Sequence, residues 1–135
     1  MAGRVVIVHS LEDARAAVAA AGELGVPVTL ASAPGAAGYL GALWFRELLT
    51  MIEDEHPDVA IDALFDCADK PGFVLAALRQ GLRRLRFTGP KATAATLAAM
   101  ADDYGAEIVT GRLTALDLLD RPDAQDACRR WLSRR

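Results

Sequence analysis

Asp66, Cys67, Asp69 and Lys70 crowd into one short stretch, DALFDCADKPGF (Asp62–Phe73). A carboxylate beside a thiol and an amine is the material of acid–base or nucleophilic catalysis. A thiol becomes a nucleophile when a base or a helix N-terminus lowers its pKa. The same residues also suit the turn from a strand into a helix. Asp69 then caps the helix that starts near Lys70-Pro71, and Cys67 packs as a small hydrophobe. Asp66 is the stronger polar candidate, because it ends an apolar run where a carboxylate needs a reason.

Other reactive side chains stand at similar junctions. His9 ends VVIVH and carries an imidazole that titrates near neutrality, so it is a candidate acid or base. A histidine bonded into a neighbouring turn is the plainer alternative. Ser10 is a candidate ligand residue, yet Asp13 three positions on makes it resemble a capping box. The stretch SAPGAAGYLG offers Ser32 and Gly35, where small residues permit close approach of a ligand or of another backbone. In TGPKATAAT, Thr88, Gly89 and Lys91 open a helix and form a plausible anion cradle, without the spacing of a P-loop. Thr110 and Arg112 follow the next strand. Catalysis is therefore sought at His9, Asp66 and Cys67, and ligand binding at Ser10, Ser32, Gly35, Thr88, Gly89 and Lys91. No motif names a cofactor, and no residue set has metal-ligand spacing.

Elements must bring these residues together. Short β-branched runs alternate with longer Ala- and Leu-rich runs of helical period. Strands are expected over Arg4–Ser10, Val26–Ser32, Val59–Asp66, Arg84–Gly89 and Ala106–Gly111. Helices are expected over Leu11–Gly25, about Ala36–Glu55, the segment after Lys70, and the segment from Pro90 to Gly105. The remainder reads as one or two helical turns, a break at Pro122 and a terminal helix over about 122–134. In the longest helix, Tyr39, Leu40, Leu43, Trp44, Leu48 and Ile52 fall near helical spacing and read as core or as a dimer face.

This pattern predicts a single α/β domain over 1–135, with a five-stranded parallel sheet and helices on both faces. A central first strand favours the flavodoxin-like, doubly wound order 2-1-3-4-5, which puts His9 and Ser10 beside Asp66 and Cys67. The alternative is half of a (βα) barrel, with strands in chain order and an open edge that calls for a partner. In either case ligands bind beyond the carboxyl ends of the strands.

The bulk numbers agree with a globular chain. Its 135 residues suit one domain, and a hydrophobic fraction of 53% can fill a core. A net charge of −3 argues against nucleic acid as the main partner. Cys67 and Cys128 read as reduced thiols of a cytoplasmic protein. The first ten residues are too weakly apolar for a signal sequence, and no run reaches the roughly 18 apolar residues of a membrane span.

The segment HPDVAIDALFDCADKPG resembles the third strand and following loop of response-regulator receiver domains. That resemblance implies a phosphate-accepting role for Asp66 and a switch hydroxyl at Thr88. The family's acidic pair after the first strand is replaced by His9 and Ser10, and its lysine after the fifth strand by Thr110, Gly111 and Arg112. The layout also looks like fragments of phosphate-binding βα barrels.

Together these features lead to the expectation of a small cytoplasmic α/β protein that binds a small anionic ligand at the carboxyl edge of its sheet. A receiver-like, non-catalytic regulatory module is the alternative. Self-association is expected in both.

Overall fold

A computed structural model describes residues 3–38 and 40–134. Six strands form, β1 (Arg4–Val8), β2 (Val28–Ser32), β3 (Ile61–Asp66), β4 (Arg84–Arg86), β5 (Glu107–Val109) and β6 (Ala115–Asp117). Five α-helices accompany them, α1 (Leu11–Leu24), α2 (Gly41–Glu55), α3 (Pro71–Arg79), α4 (Lys91–Asp102) and α5 (Ala124–Leu132). A short 3-10 turn (Ala36–Gly38) precedes α2. The expected longest helix is thus broken before Gly41, whose φ of +80° lies in the left-handed region.

The strands are parallel and hydrogen-bond in the order β5-β4-β3-β2-β1-β6. Two expectations change. The sheet has six strands, because Ala115–Asp117 is a strand where helical turns were expected. The doubly wound order 2-1-3-4-5 does not hold either. β1 is flanked by β2 and β6, and β1 to β5 follow one another in chain order, as the half-barrel alternative requires. The junction between β1 and β3 that should have joined His9 to Asp66 is therefore missing from this order. With it goes the layout on which the receiver resemblance rested.

The chain divides into two compact units. The first comprises Met1–Ala31, Leu48–Asp62 and Thr114–Arg135. Here β1 pairs with β6 in the register Val5↔Ala115, Val6↔Leu116 and Ile7↔Asp117. Helix α1 starts as its sequence dictates. The Ser10 hydroxyl accepts the Asp13 N–H at 3.1 Å, and Asp13 in turn accepts the His9 N–H at 2.9 Å. Its end is set by Gly25 at φ +66°. Ala14, Ala17, Val18 and Ala21 make its buried stripe.

Helix α5 packs on α1 and on β1. The Trp131 indole N–H donates to the Val5 carbonyl at 3.0 Å, with the Arg4 and Arg134 guanidinium groups 4.9 and 5.4 Å from the ring centre. Arg129 pairs with Glu23 at 2.6 Å. The basic tail thus clamps acids of its own unit, and Arg129 holds Glu23 below the usual carboxylate range.

The second unit comprises Ser32–Glu47 and Ala63–Leu113. Here β3, β4 and β5 follow in chain order and α3 packs on α4. Parallel neighbours in chain order are joined by crossover helices, here α3 between β3 and β4 and α4 between β4 and β5. Register makes Phe65, Leu85 and Ile108 one apolar row. Phe45 of α2 packs on Phe65 with the ring centres 5.4 Å apart and tilted by 34°, so Phe65 in this row faces α2. The opposite row carries Asp66, Arg86 and Val109.

Helix α2 buries Phe45, Leu48, Leu49 and Ile52. Of the expected apolar stripe, Leu48 and Ile52 are core, Leu40 and Leu43 are exposed, and Tyr39 lies outside the described residues. Helix α3 begins without a side-chain cap on its N-cap Lys70, so Asp69 does not cap it; Pro71 supplies the start.

Candidate functional site

A cavity of about 540 Å3 opens in the second unit where β4 and β5 end. Its lining is Phe87, Thr88, Gly89, Lys91, Ala94, Thr110 and Gly111. Thr88, Gly89 and Lys91 are three of the ligand residues expected from sequence. Lys91 is the first residue of α4, and Pro90 ahead of it leaves the first-turn amides without a side-chain cap. Those amides and the lysine give this rim positive potential. Among the described residues, no carboxylate lines the cavity. Phe87 is buried, and a Cβ on Gly89 would lie 2.4 Å from its ring. Glycine here lets the chain pass over the ring toward Lys91.

Asp66 is 2% exposed and is not part of this lining. It does not reach an open rim as a phosphate acceptor or a general acid must. Its Oδ2 accepts from Arg86 Nη1 at 3.1 Å, and its Oδ1 accepts the Ala68 N–H at 2.8 Å. Ala68 is held at φ +52°, in the left-handed region. The Ala68 carbonyl accepts the Thr88 N–H at 2.8 Å. Arg86 Nη2 donates to the Gly111 carbonyl at 2.8 Å, while its Nε is buried without a hydrogen-bond partner.

Three further candidates have structural surroundings. Cys67 is fully buried, and burial together with the neighbouring Asp66 charge pushes its thiol up to about 12. It is protonated at neutral pH and offers no thiolate. The Ser32 hydroxyl is buried and accepts the Asp66 N–H at 2.8 Å. Gly35 adopts φ +77° at a turn, with open space where a Cβ would stand.

In the first unit, His9 Nε2 lies 2.6 Å from Asp117 Oδ1. That oxygen also accepts the Leu119 N–H at 2.9 Å. The partner of His9 is therefore Asp117, contributed by the unforeseen strand β6. A cavity of about 520 Å3 adjoins the pair, lined by His9, Ser10, Asp13 and the segment 118–122. Ser10 is occupied as the cap of α1.

Sequence reasoning missed Arg86 and Asp117. Arg86 left a signal, since it alternates with Leu85 and Phe87 and the buried carboxylate of β3 needs a cation. Asp117 left none, because the strand that carries it has only three residues.

Among the described residues, no three His, Cys, Asp or Glu side chains converge as a metal ion would need, and no helix is long and apolar enough to cross a membrane. No family model matches the chain. Over 82 residues, 61% of this chain, it is 30% identical to a plasmid-encoded fructose-bisphosphate aldolase of Cupriavidus necator. That stretch covers 24% of the relative. A crystal structure of a candidate fructose-1,6-biphosphate aldolase from Coccidioides immitis superposes on 81% of this chain with a TM-score of 0.68 at 19% identity. The match takes in 40% of that protein. The chain thus spans less than half the length of either protein, and what it shares with the second is a parallel α/β fold.

Proposed function

We propose that this chain binds a small phosphorylated, or otherwise anionic, ligand in the cavity where β4 and β5 end. The observation that carries this reading is the lining itself. Lys91, at the start of a helix with no side-chain cap, lines one cavity together with Thr88 and Thr110, and no carboxylate lines it among the described residues. Charged and neutral donors of this kind recognise an oxyanion. The name of the Cupriavidus necator relative contains a sugar bisphosphate, which supports a phosphate ester as the ligand class. The protein on this reading is cytoplasmic and works as an assembly of more than one chain.

Calorimetric titration with inorganic phosphate and with fructose 1,6-bisphosphate tests it. Both are expected to bind saturably to the wild type, and Lys91→Ala is expected to weaken each by about tenfold, the loss of one charge-assisted contact. Equal affinity in wild type and variant contradicts the reading.

A second role belongs to the first unit. His9, oriented by Asp117, acts as a proton acceptor for a ligand in the adjoining cavity. The 2.6 Å contact favours this, because it directs one ring nitrogen to the carboxylate and leaves the other for chemistry. His9→Gln keeps a polar side chain but removes the imidazole base. The variant should therefore lose any pH-dependent turnover while remaining folded by circular dichroism. Unchanged turnover rules the role out.

A further inference from the structure

We infer that Asp66 is the positioning residue of the cavity at β4 and β5, its two carboxylate oxygens bracing two of the residues that line it. This rests on the anion-binding reading of that cavity, and gives it a specific internal support.

One brace runs from Oδ1. It accepts the Ala68 N–H at 2.8 Å and holds that residue in a left-handed conformation which alanine seldom adopts unaided. In this conformation the Ala68 carbonyl meets the Thr88 N–H at 2.8 Å, and Thr88 is one wall. The other brace runs from Oδ2. It fixes the Arg86 guanidinium at 3.1 Å, and the same guanidinium holds the Gly111 carbonyl at 2.8 Å. Gly111 is a second residue of the lining.

Gly111 has φ +88° and no side chain, so little else in its own residue fixes it. Arg86 alone can hold Asp66 and Gly111 together, because its planar fork donates in two directions; a lysine ammonium is a point charge and lacks this geometry. The Ser32 hydroxyl completes the support, accepting the Asp66 backbone N–H at 2.8 Å. Asp66 is buried and absent from the cavity lining, so it acts through these contacts and leaves the charge on the ligand to Lys91. An oxyanion site needs its donors fixed to within a fraction of an ångström, which is what two braces from one rigid, buried carboxylate supply.

Backbone amide NMR on the full chain, titrated with inorganic phosphate at several salt concentrations, tests this. In ligand-free Arg86→Lys the Gly111 amide is expected to move while the Thr88 amide stays. In Asp66→Asn both are expected to move. Phosphate affinity should fall by about tenfold in each, as displaced donors cost binding. Its salt dependence should remain that of the wild type, since Lys91 keeps its charge, whereas Lys91→Ala should flatten it. If Asp66→Asn does not fold, Arg86→Lys decides alone. The inference is overturned if Arg86→Lys leaves the Gly111 amide in place, or binds phosphate within twofold of wild type. Absence of saturable phosphate binding in the wild type overturns the ligand reading instead, since the amide displacements are read without ligand.

Discussion

Asp66 and Arg86 are direct register partners across the parallel pair β3–β4, and their side chains meet at 3.1 Å with 3% and 15% exposure. A pair this dry depends on both members. Removing one leaves a buried charge uncompensated and costs about 3–5 kcal/mol, while replacing both by apolar residues costs much less. Arg86→Met should therefore lower the urea midpoint sharply, and Asp66→Leu with Arg86→Met should recover most of the loss. Additive losses in the double variant would mean that the pair is not coupled.

Ala68 carries the cost of a left-handed backbone beside this pair. Glycine adopts that conformation freely but loses more freedom on folding. The steric relief of about 1–2 kcal/mol outweighs the entropic cost of about 0.5–1 kcal/mol. Ala68→Gly should raise stability by about 0.5–1 kcal/mol in urea unfolding. A destabilised variant would show that the strain is not there.

Much of the local structure was legible from the residues. Gly25 and the Ser10/Asp13 pair marked the ends of α1, and Pro90 marked the start of α4, because those signals act within a few residues. The apolar runs located five strands for the same reason. Strand order was not legible, since it depends on which edges pair over long separations, and the doubly wound and half-barrel orders share the same local pattern. The sixth strand escaped notice because three residues within the Leu-rich stretch TALDLL carry no clear period. At the site, Lys91, Thr88 and Gly89 could be named from their place after a strand. The partners of His9 and Asp66 could not, because a side-chain pair is set by register.

Burial decides the behaviour of both cysteines. Cys67 is pushed up to about 12 and Cys128 to about 11, chiefly by desolvation. At pH 8 neither thiol should react with Ellman's reagent in the folded protein over minutes, and two should react once it is denatured. The linkage has a definite sign. Unfolded thiols ionise near their ordinary pKa of about 8.5 while the folded ones stay neutral. Stability is therefore unaffected below that value and falls as pH rises from there toward 11–12. Cys67→Ala should flatten part of this alkaline loss in urea titrations, and rapid labelling of the native protein would contradict the account.

The hydrogen-bonding order has β5 and β6 at its two ends. Parallel strands with unpaired edges invite another copy or a second polypeptide. Sedimentation velocity at micromolar concentration should show a species of twice the 14.4 kDa chain mass. A stable monomer would remove the self-association expected of a half-barrel.

The central claim, an oxyanion cradle at the ends of β4 and β5, is tested most directly by a crystal structure of the wild-type chain grown with tungstate, a heavy-atom analogue of phosphate. Anomalous density is predicted between the Lys91 ammonium and the first-turn amides of α4, within reach of the Thr88 and Thr110 hydroxyls. Density confined to the His9 and Arg121 cavity, or a well-ordered but empty cradle at saturating tungstate, would contradict it.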